Sequence, residues 1–283
     1  MATSWTRFRK DRTAVAGLGV IALVVVAAVL APWVAPFNPA EQFFDGLTLE
    51  GAPLPPNAKF WLGTDTLGRD LLSRMIHGAR NSLIIGLLAN GAAVLIGTTL
   101  GVVAGYLGGV IGAGLMRLTD MVMAFPALLL ATALAAIIGP SIGIVAAVIA
   151  MVNWVQIARV IYTETTSLAQ RDHIEAARAL GAGTPRILVR HLIPHLLPTV
   201  LVYATLGIAT TVLLEAMLSY LGVGVQPPDP SWGGIVFESQ SYFVTAPWLV
   251  FFPGVAIVLM ALSFNLVGDA LRDALDPTQR GRS

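Results

Sequence analysis

Glu175-Ala-Ala-Arg-Ala-Leu-Gly-Ala-Gly-Thr184-Pro185-Arg-Ile-Leu-Val-Arg-His-Leu-Ile-Pro194 is a charged island between two long apolar runs. Arg171 to Leu180 is rich in good helix formers, and Gly181 and Gly183 suit a helix stop. Thr184-Pro185 reads as an N-cap followed by proline at the first helical position. The physical expectation is a pair of interfacial helices joined by a turn and facing something polar. What lies on either side of the island decides the fold.

Those flanks are strongly apolar. Of 283 residues, 56% are hydrophobic and 12% charged, against roughly 25% charged in soluble chains; mean hydropathy is +0.77. An all-α integral membrane protein is expected. Runs long enough to cross the hydrocarbon, which takes roughly 20 residues, fall at about 14–36, 81–105, 117–138, 141–160, 196–222 and 246–268, giving six spans. The first could pass for a signal peptide, but its apolar part is too long and no small-x-small site closes it.

Several chemistries are excluded or unsupported. There is no cysteine, hence no disulfide, thiol nucleophile or cysteine metal site. The only lysines are Lys10 and Lys59, neither in the Gly-Lys-Ser/Thr context of a phosphate-binding loop, so ATP is not bound in that way. No catalytic constellation stands out. His77, His173, His191 and His195 lie outside the apolar runs and read as surface or interfacial groups, so no metal, cofactor or nucleic acid is expected.

Between the first two spans, residues 37–80 form the longest polar connection, an extended loop around Pro53, Pro55 and Pro56, then helical spacing from Asp70 to Arg80 that predicts an amphipathic surface helix feeding the second span. Within that span Gly97, Gly101 and Gly105 recur at four-residue spacing. This either lets two membrane helices approach closely or reflects the 28 glycines of the chain. Arg117 and Asp120 mark a boundary, and Pro126 predicts a kink in the third span. Glu215 is the one ionisable group in the fifth. An intramembrane acid is a functional candidate by default, here a pathway or gate residue together with Ser219 and Tyr220, or else an interhelical hydrogen bond holding the bundle. The charges Asp269, Arg272, Asp273 and Asp276 read most simply as a solvated helix end.

With six spans both ends share one side. That side carries Arg7, Arg9, Lys10, Arg12, Arg117, Arg159, Arg171, Arg178, Arg186, Arg190, Arg272, Arg280 and Arg282, 13 cations; the other carries Lys59, Arg69, Arg74 and Arg80, or 4. The positive-inside rule predicts cytoplasmic termini and a cytoplasmic island within 161–195.

The island also resembles the EAA motif of ABC-importer permeases: Glu175-Ala176-Ala177, Gly181 and Ile193-Pro194 fall on its positions. Trp61-Leu-Gly-Thr-Asp65 through Arg69-Asp70 and Arg74 to Gly78-Ala-Arg80, Arg117-Leu-Thr-Asp120 with Ala124-Phe125-Pro126, Glu215 to Gly233, and Gly268 to Pro277 are similar to further signatures of the same family, in its order. The chain resembles the C-type permease subunits of bacterial dipeptide/oligopeptide (peptide/nickel) ABC importers. Arg190-His191 favours that subfamily, and His195 replaces its usual asparagine.

The resemblance implies a type I importer permease fold in the bacterial cytoplasmic membrane, divided into 1–36, a 37–80 outer loop, an 81–270 core and a 271–283 tail. It implies a homologous second permease subunit, two ABC ATPase subunits and an extracytoplasmic substrate-binding protein as partners, besides membrane lipid. Glu175, Ala176, Ala177, Arg178, Gly181, Arg190 and Pro194 would couple to the ATPase. Peptides are the implied substrate; nickel chelates, glutathione or sugars travel through relatives. A proton-coupled secondary transporter relaying through Glu215 or Asp120 is the remote alternative.

Overall fold

The computed structural model describes residues 11–139 and 141–275. The basic residues Arg7, Arg9 and Lys10, Pro140, and the residues from Asp276 on, with Arg280 and Arg282, lie outside them. Among the described residues the ordered elements are helical. They are α1 (Arg12–Val29), α2 (Ala31–Val34), α3 (Leu71–Leu107), α4 (Gly109–Met123), α5 (Ala127–Ile138), α6 (Ile142–Ala169), α7 (Asp172–Ala179), α8 (Thr184–Ile187), α9 (Ile193–Tyr220), α10 (Trp232–Glu238) and α11 (Trp248–Leu275). Among the described residues no strand forms beyond two isolated bridges, Leu47 with Pro53 and Thr64 with Asp70.

Side-chain contacts fix the direction of each helix. Along α3, Gly97, Gly101 and Gly105 face Trp154 to Ala158, Ala158 to Ile161 and Tyr162 to Thr165 of α6 in turn, so α3 and α6 run parallel. Gly86 of α3 meets Val212, and Asn90 bonds back to Ala204, so α9 runs antiparallel to α3. Gly268 of α11 lies against Leu206 of α9, and Gly17 of α1 against Ser263 of α11. The ends of α3, α6 and α11 and the beginnings of α1 and α9 therefore share one side, which also carries the charged island.

Among the described residues five helices are long and apolar enough to cross a membrane, and α4 with α5 forms a sixth candidate bent by 85° at the break. Because α3 ends on the island side and α6, parallel to it, starts on the opposite side, the α4–α5 pair must carry the chain across. It is a broken crossing. The sequence predicts only a kink at Pro126; the larger break has a local cause. Pro126 has no N–H for the Val122 carbonyl and forces Phe125 away from helical backbone, so α4 stops and α5 restarts with Pro126 as its N-cap. Gly108 and Gly109, both at positive φ, turn α3 into α4.

The second difference is larger. The expected surface helix from Asp70 to Arg80 is the first part of the 37-residue α3, about 55 Å at 1.5 Å per residue. Asp70 caps it, its carboxylate accepting from the Ser73 amide at 2.8 Å and hydroxyl at 2.6 Å. Leu71, Ser73, Arg74, Gly78 and Ala79 are buried rather than interfacial. The 37–70 segment folds over this end, with Phe37, Phe43 and Phe60 packed at centroid separations of 5.0–5.8 Å.

Candidate functional site

The island is built from three successive backbone devices. Helix α7 ends with Gly181 at φ +81°; the Ala182 amide bonds to the Ala177 carbonyl at 3.0 Å and the Gly181 amide to that of Arg178 at 2.9 Å. This paired closure needs a left-handed residue between its two bonds, which glycine provides without a Cβ clash. The restart differs from expectation by one residue: Gly183, not Thr184, is the N-cap, and Thr184-Pro185 are the first two helical residues. Pro194 then offers no N–H to the Arg190 carbonyl. The backbone widens into a π turn over Leu188–Leu192, with the Ile193 amide reaching Leu188, before α9 proceeds.

Sequence-marked residues of the island are mostly outward-facing. Glu175, Ala176, Arg178, Gly181, Arg190 and Pro194 are exposed and Ala177 half-buried, while Leu180 at the turn is 89% exposed. Ile174 is the buried member of α7. It joins Ile161, Leu168, Ile187, Leu192 and Leu196 in a cluster that seats the island on α6 and α9. Two contacts flank it. The Arg178 guanidinium lies 4.9 Å from the Tyr106 ring centroid, its Nε donating to the Tyr106 hydroxyl at 3.4 Å. The rings of His173 and His195 lie 5.6 Å apart, with His195 Nδ1 against the His191 carbonyl. Tyr106 and Ile174 carry no polar-island signature in the sequence. An aromatic residue at the last turn of a span was the available signal for the former.

Glu215 is fully buried near the far end of α9. One carboxylate oxygen accepts from Ser219 at 2.8 Å and the other from Ser82 of α3 at 3.0 Å; Ser231 donates to Ser219 at 3.3 Å. This places Glu215 and Ser219 in one polar knot joining α9, α3 and the loop before α10. Tyr220, 47% exposed, stands outside it. Asp120, the other acid considered as a relay, is ion-paired with Arg159 of α6, both about half exposed.

At Gly97, Gly101 and Gly105 an added Cβ would lie 2.6 Å from the Trp154 carbonyl oxygen, 2.6 Å from that of Ala158 and 2.7 Å from Thr165 Cβ. The α3–α6 contact leaves no room for a side chain there.

A further charged cluster was not legible in the sequence. Asp65 accepts from Arg69 Nε at 2.5 Å and from Arg74; Glu238 of α10 accepts from Arg69 at 2.5 Å and from Arg74 at 2.7 and 2.9 Å. Asp65, Arg69 and Arg74 are at most 4% exposed and Glu238 18%. Two cations and two anions thus balance beneath the 37–70 segment. Among the described residues no group of three or more acidic or imidazole side chains is placed to hold a metal ion.

Comparison with known proteins accords with this architecture. Residues 97–281 match the family described as binding-protein-dependent transport system inner membrane component, and residues 1–56 match the N-terminal TM domain of oligopeptide transport permease C. The chain is 43% identical over 278 residues to a di/tripeptide transport system permease protein of Pseudomonas aeruginosa, covering 96% of this chain and 90% of that one. It is 39% identical over 282 residues to a dipeptide transport system permease protein of Alkalihalophilus pseudofirmus, covering 98% and 90%. It is 40% identical over 277 residues to a glutathione transport system permease protein of Escherichia coli O157:H7, again covering 98% and 90%. Among solved structures, the MetNI methionine ABC transporter in an inward-facing conformation superposes with a TM-score of 0.56 at 20% identity, over 71% of this chain and 95% of that one, a likeness of fold. The chain therefore belongs to the binding-protein-dependent transport permease family: it is a multi-pass membrane permease subunit of an ABC importer, not an enzyme, and it works with ATPase and other subunits.

Proposed function

We propose that this chain forms half of a translocation pathway for short peptides across the bacterial cytoplasmic membrane. Its termini and the island face the cytoplasm. A homologous permease subunit supplies the other half, two ABC ATPase subunits dock from inside, and an extracytoplasmic binding protein delivers substrate from outside. The observation that carries the coupling part is the island's geometry: a short helix with small and charged residues outward, seated by Ile174 and joined covalently to α6 and α9. Glu175, Ala176, Ala177, Arg178, Gly181, Arg190 and Pro194 belong to this coupling element, and the exposed Leu180 and Val189 offer apolar contact to a protein partner. Rigid-body movement of an ATPase would be passed to two spans at once. Nucleotide shifts the permease between inward- and outward-facing states only through contacts that differ between them.

The α3–α6 glycine face serves as the rigid seam of the moving half. Glu215 and Ser219 tie α9 to α3 near the outer end of the pathway, with Tyr220 at its rim. Peptide as substrate is supported by the two relatives named for di/tripeptide and dipeptide transport. Glutathione, itself a tripeptide, is the second reading, supported by the relative named for its transport.

The test is ATP-dependent uptake of labelled dipeptide into vesicles holding the whole complex, with unlabelled glutathione as competitor, comparing wild type with Glu175→Arg after pull-down of the ATPase. Loss of ATPase association and uptake together is expected. Uptake that persists with the ATPase unbound refutes the coupling assignment, and competition by glutathione at lower concentration than dipeptide reverses the order of the two substrates.

A further inference from the structure

Helix α7 has few holds on the spans. Ile174 seats it in the apolar cluster, His173 lies beside His195 of α9, and Arg178 reaches Tyr106. Of these, the last is the polar one that reaches α3, a helix to which the island is not connected by a short stretch of chain and whose Val102 shares the apolar cluster with Ile174. Tyr106 is the penultimate residue of α3, half-buried, and packs against the cluster that holds Ile161 and Leu168. Its ring face receives the guanidinium and its hydroxyl accepts from Nε, so one contact fixes both the distance and the orientation of Arg178.

What α3 connects gives the contact its importance. Over its last third, up to the residue before Tyr106, it is locked to α6 by the glycine face. Asn90 at its middle and Ser82 nearer its start bond to α9. At its first turns Arg74 is held by Asp65 and Glu238. A displacement delivered to Tyr106 therefore reaches the opposite side of the bundle along one continuous helix. We infer that Tyr106 is a positioning residue that receives the movement of α7 through Arg178 and passes it to α3, keeping transport in step with ATP hydrolysis. This rests on the importer reading above and adds a third output, α3, to the covalent links into α6 and α9.

The experiment uses the complete complex with its binding protein in proteoliposomes, and reads ATP hydrolysed per labelled dipeptide taken up. In Tyr106→Leu and in Arg178→Gln that ratio rises about threefold, the fold-change that an exposed cation–π contact corresponds to, with subunit stoichiometry by size exclusion unchanged. Tyr106→Phe, which keeps the ring face, stays within about twofold of wild type on the same scale, and the double variant Tyr106→Leu/Arg178→Gln is no worse than either single one. If Tyr106→Leu does not fold, Arg178→Gln against Arg178→Lys gives the same comparison, the lysine retaining a cation over the ring. An unchanged ratio in assembled variants overturns the inference, as does an additive double variant. Loss of the ATPase subunits in Arg178→Gln alone also overturns it, making Arg178 a docking residue. Uptake that ignores ATP in the wild type would fell the importer reading itself, an outcome distinct from these.

Discussion

Replacing Asp65 by Asn tests whether the charges under the 37–70 segment are a balanced set. In the native arrangement Asp65 and Glu238 share Arg69 and Arg74, all but Glu238 being at most 4% exposed. Asp65 also accepts from the amides of Leu67 and Arg69 at 2.9 Å, so it organises the turn as well as the charges. Neutralising it leaves two buried guanidiniums with one carboxylate. Breaking a buried pair in this way costs about 3–5 kcal/mol. Glu238→Gln removes the acid with access to water and keeps a side-chain acceptor, so it costs less, about 1–3 kcal/mol. For a chain of this size about 2–4 °C accompanies each kcal/mol, so Asp65→Asn lowers the apparent melting temperature by about 6–12 °C at the smaller figure. The assay is the loss of the monodisperse peak on size exclusion after heating the detergent-purified complex. Equal melting of the two variants, each within about 2 °C of wild type, refutes the reasoning, because 2 °C is below 1 kcal/mol on this scale.

Two further outcomes follow from packing and buried polarity. Gly101→Ala sets a Cβ 2.6 Å from the Ala158 carbonyl oxygen, whereas a Cβ at Gly91 meets nothing within 4 Å. Gly101→Ala is expected to cost about 1–3 kcal/mol through overpacking and Gly91→Ala to be neutral or to stabilise by up to about 1 kcal/mol in the same melting assay; equal behaviour would show that α3 and α6 are not in contact there. Glu215→Leu leaves the Ser82 and Ser219 hydroxyls without their acceptor, a loss of about 1–3 kcal/mol for a buried unsatisfied group. Glu215→Gln keeps an acceptor and should retain dipeptide uptake; a Gln variant that folds but does not transport would give the carboxylate a role beyond tying α9 to α3.

Much of the architecture is written locally. The apolar runs mark the crossings because hydropathy is a property of neighbouring residues. The turn at Gly181 is legible because a helix stop needs a particular backbone, which only a few residue types supply. What escapes such a reading is set by distant partners. Arg74 looks like a surface charge beside Asp70 and Arg80, and Glu238, 164 residues later, completes with Asp65 the pair of acids around it once buried. The length of α3 was hidden for the same reason. Pro126 announces the disturbance and supplies its local cause, but the size of the 85° bend carries no mark in the sequence. In the island, Glu175 to Pro194 could be marked by composition, while Tyr106 enters only through the folding of α3 alongside α6.

The partners of α3 also carry a consequence for synthesis. Ser82, Asn90 and Arg74 meet Glu215, Ala204 and Glu238, all made 114 to 164 residues after them. At about 5–20 residues per second, Arg74, already beside Asp65, waits on the order of 10–30 s for its second acceptor, Glu238. In lipid an unaccompanied asparagine such as Asn90 is costly. The polar ties of α3 to α9 and α10 therefore close only once those later helices have been made, so that the contacts of this chain are completed from its far end backwards.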